Sequence, residues 1–236
     1  MNPLPSPLPT GNAGAYPQQA ASSGEMHAPD VQRVLRNTYA LLSMTLLFSA
    51  AAAALSMALD LPHLGPIITM VGYFGLLFLT SKFSNSAWGI VFVFALTGFM
   101  GLTLGPILNF YIHSINNGGQ LVMTALGGTG IIFIGLSAYA LVSRKDFSFM
   151  GGMLMAGILV AFLASLVGLF FPMPGLQIAV SSMFILLMSG MILFQTGQIV
   201  NGGETNYILA TISLYVSIYN LFLSLLQLLG AFNGRN

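Results

Sequence analysis

Five polar side chains recur along one face of a strongly apolar segment near the end of the chain. Within Thr205–Gly234 they follow one another at intervals of 4, 3, 4 and 3 residues: Ser213, Ser217, Asn220, Ser224 and Gln227. This spacing places all five on one stripe of an α-helix. Hydroxyl and amide groups are costly in hydrocarbon and usually face a bundle interior or a wet cavity. The stripe therefore predicts either hydrogen bonds between helices, each worth about 0.5–1.5 kcal/mol, or the lining of a polar path.

Further polar residues lie just before this segment. Gln195 is near the end of the preceding apolar run, and Glu204 lies in the short loop that follows it. A carboxylate is favoured at the positive end of a helix, so Glu204 is predicted to cap the start of the last helix. Ion binding is the alternative role for this carboxylate.

The composition indicates an all-α integral membrane protein. The chain has 236 residues, 56% hydrophobic and only 5% charged, with a mean hydropathy of +0.88, whereas a soluble domain carries about 25% charged residues. A disordered chain would be polar and charged. A net charge of +1 excludes a nucleic-acid binder, which needs a clustered basic surface. The absence of cysteine excludes disulfides, thiolate metal sites and cysteine nucleophiles.

No constellation of catalytic or metal-ligating residues can be assembled. Gly135-Leu-Ser137-Ala resembles the serine motif of intramembrane proteases, but a serine nucleophile needs a general base. The three histidines are His27, His63 and His113, and none follows Ser137 in a later apolar segment. Zinc hydrolysis needs several histidine ligands with a carboxylate, which these cannot supply. We therefore predict no catalytic residue, no metal and no cofactor.

The apolar runs predict seven transmembrane helices. A bilayer about 30 Å thick needs about 20 apolar residues at 1.5 Å each. Turn sequences such as Asn116–Gly119 divide the longer runs. Within the third span, Gly101 and Gly105 form a small-xxx-small pair that predicts close approach of another helix. The predicted spans are approximately 38–59, 64–81, 87–112, 120–143, 150–171, 176–197 and 206–231.

Basic residues predict the orientation of these spans. All the Lys and Arg residues except Arg235 fall in segments on one side of the predicted bundle: Arg33, Arg36, Lys82, Arg144 and Lys145. Cytoplasmic loops carry such an excess, so the N-terminus is predicted to be cytoplasmic. Residues 1–30 are rich in proline and are predicted to form a disordered cytoplasmic tail, with residues 31–236 as the membrane domain. The tail is either a passive extension or a flexible handle for a partner.

Five ordered sequence blocks resemble the Bax inhibitor (transmembrane Bax inhibitor motif) family. The resemblance covers the chain from about Val34 to Gly230. It implies a seven-helix fold in which the last helix is central and wrapped by the other six. The blocks are Leu35–Tyr39, Gly105–Asn109, Asp146–Met153, Gly202–Tyr207 and Ser213–Phe222.

One activity implied by the resemblance is a pH-gated calcium leak. In such family members a carboxylate pair joins spans 6 and 7, and a basic residue after span 2 latches one acid. Matched to this chain, the acids fall on Gln195 and Ser217 and the latch falls at or near Lys82. Since Gln and Ser do not titrate, the proton switch is expected to be missing. A hydrogen-bonded plug of Gln195 and Ser217, with Lys82 as a further member, would remain available, and Glu204 is the one carboxylate left nearby.

The other implied activity is modulation of membrane protein quality control. Bacterial inner-membrane members of the family resemble substrates and modulators of the membrane AAA protease FtsH. A processive protease needs an unstructured cytoplasmic end, which the Pro-rich tail would supply. We favour this function, with the weakly pH-sensitive calcium or cation leak as the alternative. A small-solute transporter is less favoured, because no internal repeat relates the spans.

Overall fold

The computed structural model describes residues 28–171 and 174–233, and this part of the chain is helical, without a β-strand. Residues 1–27, which hold nearly all of the predicted tail, lie outside the described residues. Each of the seven helices overlaps one predicted span. They are α1 (Ala28–Ala58), α2 (Pro66–Lys82), α3 (Ala87–Ser114), α4 (Gly118–Ser143), α5 (Met150–Phe170), α6 (Pro174–Val200) and α7 (Tyr207–Asn233).

Six of these helices are long and apolar enough to cross a bilayer. The exception is α2, which has 17 residues and so rises about 25 Å, somewhat less than the hydrocarbon thickness of about 30 Å. At the other extreme, α1 begins at Ala28, ten residues before the predicted first span. The membrane character of the chain is therefore clear, while the seventh crossing depends on the short α2.

Local sequence signals explain where several helices begin and end. Pro66 occupies the first turn of α2, where its missing N–H costs nothing. Ser86 caps α3 by accepting a hydrogen bond from the backbone N–H of Trp88. The predicted turn before α4 contains Asn117 with a left-handed φ of 57°, a conformation that Asn tolerates better than most residues.

Helices α1 and α3 form the most extensive helix pair in the molecule. A Cβ added to Gly101 would overlap the backbone oxygen of Ser49, and one added to Gly105 would overlap Ser56. The close approach predicted from these two glycines is confirmed, and α1 is the helix that makes it. The two backbones can approach so closely only because these positions carry no side chain.

The same contact satisfies a carbonyl group that a proline leaves without its helical partner. Pro106 lies inside α3 and has no N–H to donate to the carbonyl of Leu102 one turn earlier. The hydroxyl of Ser56 on α1 donates to that oxygen at 2.8 Å. Ser and Thr side chains commonly replace a backbone donor in this way inside membranes, so α3 continues through its proline.

Helix α7 is the central helix, but fewer helices surround it than expected. Among the described residues it packs mainly against α6, α4 and α1, with a smaller contact on α3. The expectation that all six other helices wrap it is wrong, because α2 packs chiefly on α3 and α5 packs chiefly on α6. Each of these two outer helices therefore has one main neighbour, and the ring around α7 is open between them.

Candidate functional site along the central helix

The structure brings together Gln195 and Ser217, the two residues that the resemblance matched to the family's acids. The Ser217 hydroxyl lies 3.1 Å from Oε1 of Gln195 and 3.0 Å from the backbone oxygen of Ser213, one turn earlier. A serine has one O–H to donate, so these two acceptors compete for it. Ser217 is only 2% exposed. The pair is therefore a neutral contact between α6 and α7, with no group that titrates near pH 7.

Lys82 does not take part in this contact. It is the last residue of α2 and is exposed. In the part of the chain that the structure describes, it forms no side-chain hydrogen bond with Gln195 or Ser217. The plug that included Lys82 is therefore not observed, and the ammonium group is left at the surface because its long stem allows it to reach water.

The start of α7 is capped by Asn206, not by the predicted Glu204. The side-chain oxygen of Asn206 accepts from the N–H groups of Ile208 and Leu209 at 2.9 and 3.3 Å. Glu204 instead accepts from the backbone N–H of Asn206 at 2.7 Å, and so supports the cap from outside the helix. Asn is among the best N-cap residues, and its place directly before an apolar helical run was a signal that could have identified it.

Asn206 also ties α7 to the connection between α2 and α3. Its side-chain nitrogen donates to the backbone oxygen of Ser84 at 3.2 Å and to the side-chain oxygen of Asn85 at 3.0 Å. One side chain thus caps a helix and joins two distant parts of the chain, which fixes the N-terminal end of α7 against the α2–α3 connection.

The remaining stripe residues have different surroundings. Ser213 is exposed and Asn220 is half-buried, with its amide nitrogen donating to the backbone oxygen of Val216 at 2.8 Å. Ser224 is buried. Gln227 accepts from Ser181 on α6 at 3.0 Å. The stripe therefore supplies two hydrogen bonds to α6, at Ser217 and Gln227, which is the first of its two predicted uses.

A second polar contact, missed from the sequence, lies on the opposite face of α7. Tyr215 is buried, and its hydroxyl lies 2.6 Å from the hydroxyl of Ser49 on α1 and 3.3 Å from the backbone oxygen of Thr97 on α3. Tyr215 is two residues from Ser213 and Ser217, and a shift of two residues is about 200° around a helix. The aromatic ring made it look like an ordinary apolar contact, so its polar end was overlooked.

The opening between α2 and α5 forms a groove of about 760 Å³. Its walls are faces of α2 and α5, and its floor is built by α3, α6 and α7. The groove is lined mainly by apolar side chains, and it reaches from His63, before α2, to Ser81 near the end of that helix. The polar residues that reach its floor from α6 and α7 are Gln195, Ser213, Ser217, Tyr219 and Asn220.

A family comparison agrees with this architecture. The profile described as "Inhibitor of apoptosis-promoting Bax1" matches residues 31–234. The chain belongs to the Bax inhibitor family. The match begins inside α1 and runs past the end of α7, so it covers the whole bundle and not a single motif.

Several bacterial relatives within the Bax inhibitor family match over most of their length. The "Modulator of FtsH protease YccA" of Escherichia coli K12 is 54% identical over 198 residues, which is 84% of this chain and 90% of the relative. PA2604, an uncharacterized protein of Pseudomonas aeruginosa, is 52% identical over 92% of this chain and 97% of its own. A membrane protein of Vibrio cholerae is 46% identical over 88% and 93% of the two chains.

In this Bax inhibitor homologue, the side chains at the α6–α7 contact interact through neutral hydrogen bonds. Among the described residues, no group of three or more His, Asp or Glu side chains is placed to hold a metal ion. The carboxylate of Asp146 lies in the exposed loop before α5, where hydrogen bonds from the side chain and backbone N–H of Ser148 lower its pKa. Asp146 therefore stays ionised well below neutral pH, and it belongs to a loop outside the bundle and not to the α6–α7 contact.

Proposed function

We propose that this chain is a non-enzymatic inner-membrane modulator, and also a substrate, of an FtsH-type membrane protease. The observation that carries the proposal is the 54% identity to the Escherichia coli protein named modulator of FtsH protease, over 84% of this chain. The α6–α7 contact supports it, because a partly buried neutral pair holds the inner half of the bundle together without offering a reactive or titrating group.

The proposal includes a topology of seven spans with the N-terminus in the cytoplasm. The ends of α2 and α4 and the start of α1 carry the basic residues, which agrees with the positive-inside rule. In this arrangement α2 crosses with the aid of local bilayer thinning or of its flanking loop, as short hydrophobic segments do. The Pro-rich residues 1–27 then extend from the cytoplasmic end of α1, where a protease working in the cytoplasm can engage them.

The test compares three forms of the protein in cells that contain FtsH. They are the full chain, a form lacking residues 2–27, and a form in which those residues are replaced by a Gly/Ser segment of equal length. We expect the full chain to co-purify with FtsH and to slow the degradation of a jammed membrane substrate. The deleted form should itself be degraded more slowly, and the Gly/Ser form should be degraded like the full chain, since the protease needs length more than sequence.

The proposal fails if the full chain neither co-purifies with FtsH nor changes the lifetime of the jammed substrate. If association persists without the tail, the contact lies in the membrane domain and the tail serves only degradation. Equal degradation of all three forms would remove the tail from the proposal and leave the modulator function to the bundle.

A weak cation leak is the second candidate, and the polar floor of the groove favours it. Ser213 and Asn220 bring polar atoms to a cavity that follows α7. The neutral pair would make such a leak slow and nearly independent of pH between about 6 and 8. Calcium flux into liposomes containing the purified protein measures this directly. A flux above that of empty liposomes, with little change between about pH 6 and pH 8, would support the leak, and a steep pH dependence would contradict it.

A further inference from the structure

The groove between α2 and α5 opens towards the lipid. Its walls are formed by residues at helical spacing on two outer helices, for example Met70 and Phe74 on α2 and Met155 and Leu159 on α5. All four are among the exposed large apolar residues of the protein. Because neither helix packs extensively on α7, a molecule in the bilayer can enter from the side without crossing a polar surface.

The floor of the groove contains polar atoms that the protein leaves without a hydrogen bond. Gln195 uses its side-chain oxygen to accept from Ser217, and among the described residues its amide nitrogen has no partner. The hydroxyl of Ser213, which is exposed, likewise has no partner there. Polar groups facing hydrocarbon are costly, so an occupant that accepts hydrogen bonds at this depth would be favoured over plain acyl chains.

The position of these atoms indicates which part of an occupant they meet. Gln195 is five residues before the end of α6, and Ser213 is six residues after the start of α7, so each lies about 8–9 Å from the inner end of its helix. Lys82, exposed at the inner end of α2, directly follows the lining residue Ser81. From the inner end to the centre there is thus a cation beside the mouth of the groove, then hydrogen-bond donors on its floor, then apolar walls.

The dimensions of the groove suit a narrow occupant better than a helix. The groove follows the 17 residues of α2, or about 25 Å, so its volume of about 760 Å³ gives a mean cross-section of about 30 Å². An α-helix with side chains is about 10–12 Å wide and so has a cross-section near 100 Å². The enclosed space suits an extended hydrocarbon chain.

We propose that the groove binds one acyl chain of an anionic phospholipid from the cytoplasmic leaflet. The chain lies between α2 and α5, the ester oxygens accept from Gln195 and Ser213, and the phosphate lies beside Lys82. The flexible methionines of the lining suit an occupant without a fixed shape. The proposal rests on the topology proposed above, and it does not require association with FtsH.

Native mass spectrometry of the purified full chain tests the proposal, with phosphatidylglycerol and phosphatidylcholine of identical acyl chains as probes. We expect one phosphatidylglycerol to remain bound. Leu159→Trp should fill the groove and lower its occupancy at least about fivefold, the loss expected when roughly 1 kcal/mol of binding is removed. The matched control is Val160→Trp, since Val160 is the next residue of α5, is equally exposed and does not line the groove.

Lys82→Gln tests the headgroup separately. One lysine near an anionic surface is worth about 1 kcal/mol, so the preference for phosphatidylglycerol over phosphatidylcholine should fall about fivefold while the total occupancy by lipid changes less. Ser213→Leu removes one hydrogen-bond donor without introducing an aromatic side chain. It should weaken the binding of phosphatidylglycerol and of phosphatidylcholine to the same extent.

Photocrosslinking with the natural sequence keeps the test valid even if a tryptophan variant does not fold. A phosphatidylglycerol with a diazirine in one acyl chain should label peptides from α2 and α5. Equal lipid binding by Leu159→Trp and Val160→Trp, or labelling spread evenly over the outer surface, would overturn the proposal. So would a photoreactive residue at position 159 that captures a protein helix in place of lipid in cells. The assays with purified protein and defined lipids contain no FtsH, so a failure there leaves the modulator proposal unaffected.

Discussion

At the scale of single residues, the contact between Gln195 and Ser217 determines how the protein should respond to protons. A neutral amide and a hydroxyl 3.1 Å apart hold α6 and α7 together at any pH between about 6 and 8. Two carboxylates at the same positions could not both ionise cheaply, so the pair would share a proton and the pKa of one member would rise towards neutrality.

The double variant Gln195→Asp/Ser217→Asp should therefore become sensitive to pH. A carboxyl group whose pKa is raised by folding binds more protons in the native state, so its contribution to stability is lost as the pH rises through the raised value. We expect the melting temperature of the variant in detergent to fall between about pH 6 and pH 8. Calcium flux in liposomes should change over the same range.

The neutral double variant Gln195→Asn/Ser217→Asn is the matched control, and it should follow the natural protein in both measurements. An acidic variant with the same flat profile as this control would show that the two positions do not couple, and the reasoning from their contact would then be wrong.

Asn206 combines two roles that substitution can separate. Asn206→Ala removes both the cap of α7 and the tie to Ser84 and Asn85, and loss of an N-cap alone costs about 1 kcal/mol. Asn206→Asp retains a capping oxygen and loses the donating nitrogen, so it should destabilise the protein less than alanine does. Chemical denaturation in mixed micelles would rank the three proteins. Equal losses for Asp and Ala would assign the effect to the tie and not to the cap.

At the scale of helices, α1 and α3 are joined by a hydrogen bond that exists because of a proline. The Ser56 hydroxyl donates to the Leu102 oxygen, which Pro106 leaves without its helical donor. The bond is specific to this helix pair, because it needs both the proline on α3 and the close approach that Gly105 permits.

Ser56→Ala should therefore be costly only while Pro106 is present. A buried acceptor left without a partner costs about 1–3 kcal/mol, whereas in a Pro106→Ala background the N–H of residue 106 can satisfy Leu102. A double-mutant cycle on thermal or denaturant stability measures the difference. We expect a coupling of about 1 kcal/mol, and a coupling near zero would mean that Ser56 stabilises the pair by packing alone.

Alanine should lower the stability of the protein at a helical glycine that packs against another helix, and should not lower it at a helical glycine without a close neighbour. Gly101→Ala places a methyl group against the backbone of α1, and overpacking of this kind costs about 1–3 kcal/mol. Gly127→Ala on α4 is the matched control, because a Cβ there meets no atom within 4 Å and alanine favours a helix by up to about 1 kcal/mol. The melting temperature should fall for the first and stay constant or rise for the second.

At the scale of the whole molecule, the orientation of the bundle in the membrane can be tested without background labelling. The chain has no cysteine, so single cysteines report one position each. Ser6→Cys, in the predicted tail, should react with a membrane-impermeant maleimide only after the inner membrane is opened. Asn116→Cys, between α3 and α4, should react in intact spheroplasts. The reverse pattern would invert the topology and, with it, the cytoplasmic placement of Lys82.

The architecture at this scale is a partly closed ring. Among the described residues α7 packs mainly against α6, α4 and α1 and less against α3, while α2 and α5 form the walls of a lateral groove. In a membrane, helices have no hydrophobic drive to associate, because lipid tails are as apolar as leucine. An outer helix with one neighbour can therefore be stable, and the resulting gap opens onto polar residues of the central helix.

Much of this protein follows from its sequence, because the responsible interactions are local. The composition and the lengths of the apolar runs determine a helical membrane protein, and the intervals between Ser213 and Gln227 determine a polar stripe on its last helix. Gly101 and Gly105 predict a close helix contact, and Asn206 had the position and residue type of a cap although the prediction chose Glu204.

Only the tertiary structure decided which residues those local features would meet. It paired Ser217 with Gln195, Gln227 with Ser181 and Tyr215 with Ser49, and it separated Lys82 from the pair it was expected to join. It also left α2 and α5 apart, so that α7 is not fully wrapped. Helical periodicity determines which side of a helix is polar. The helix that faces this side depends on packing between segments far apart in the chain, and the spacing of residues within one helix carries no information about that packing.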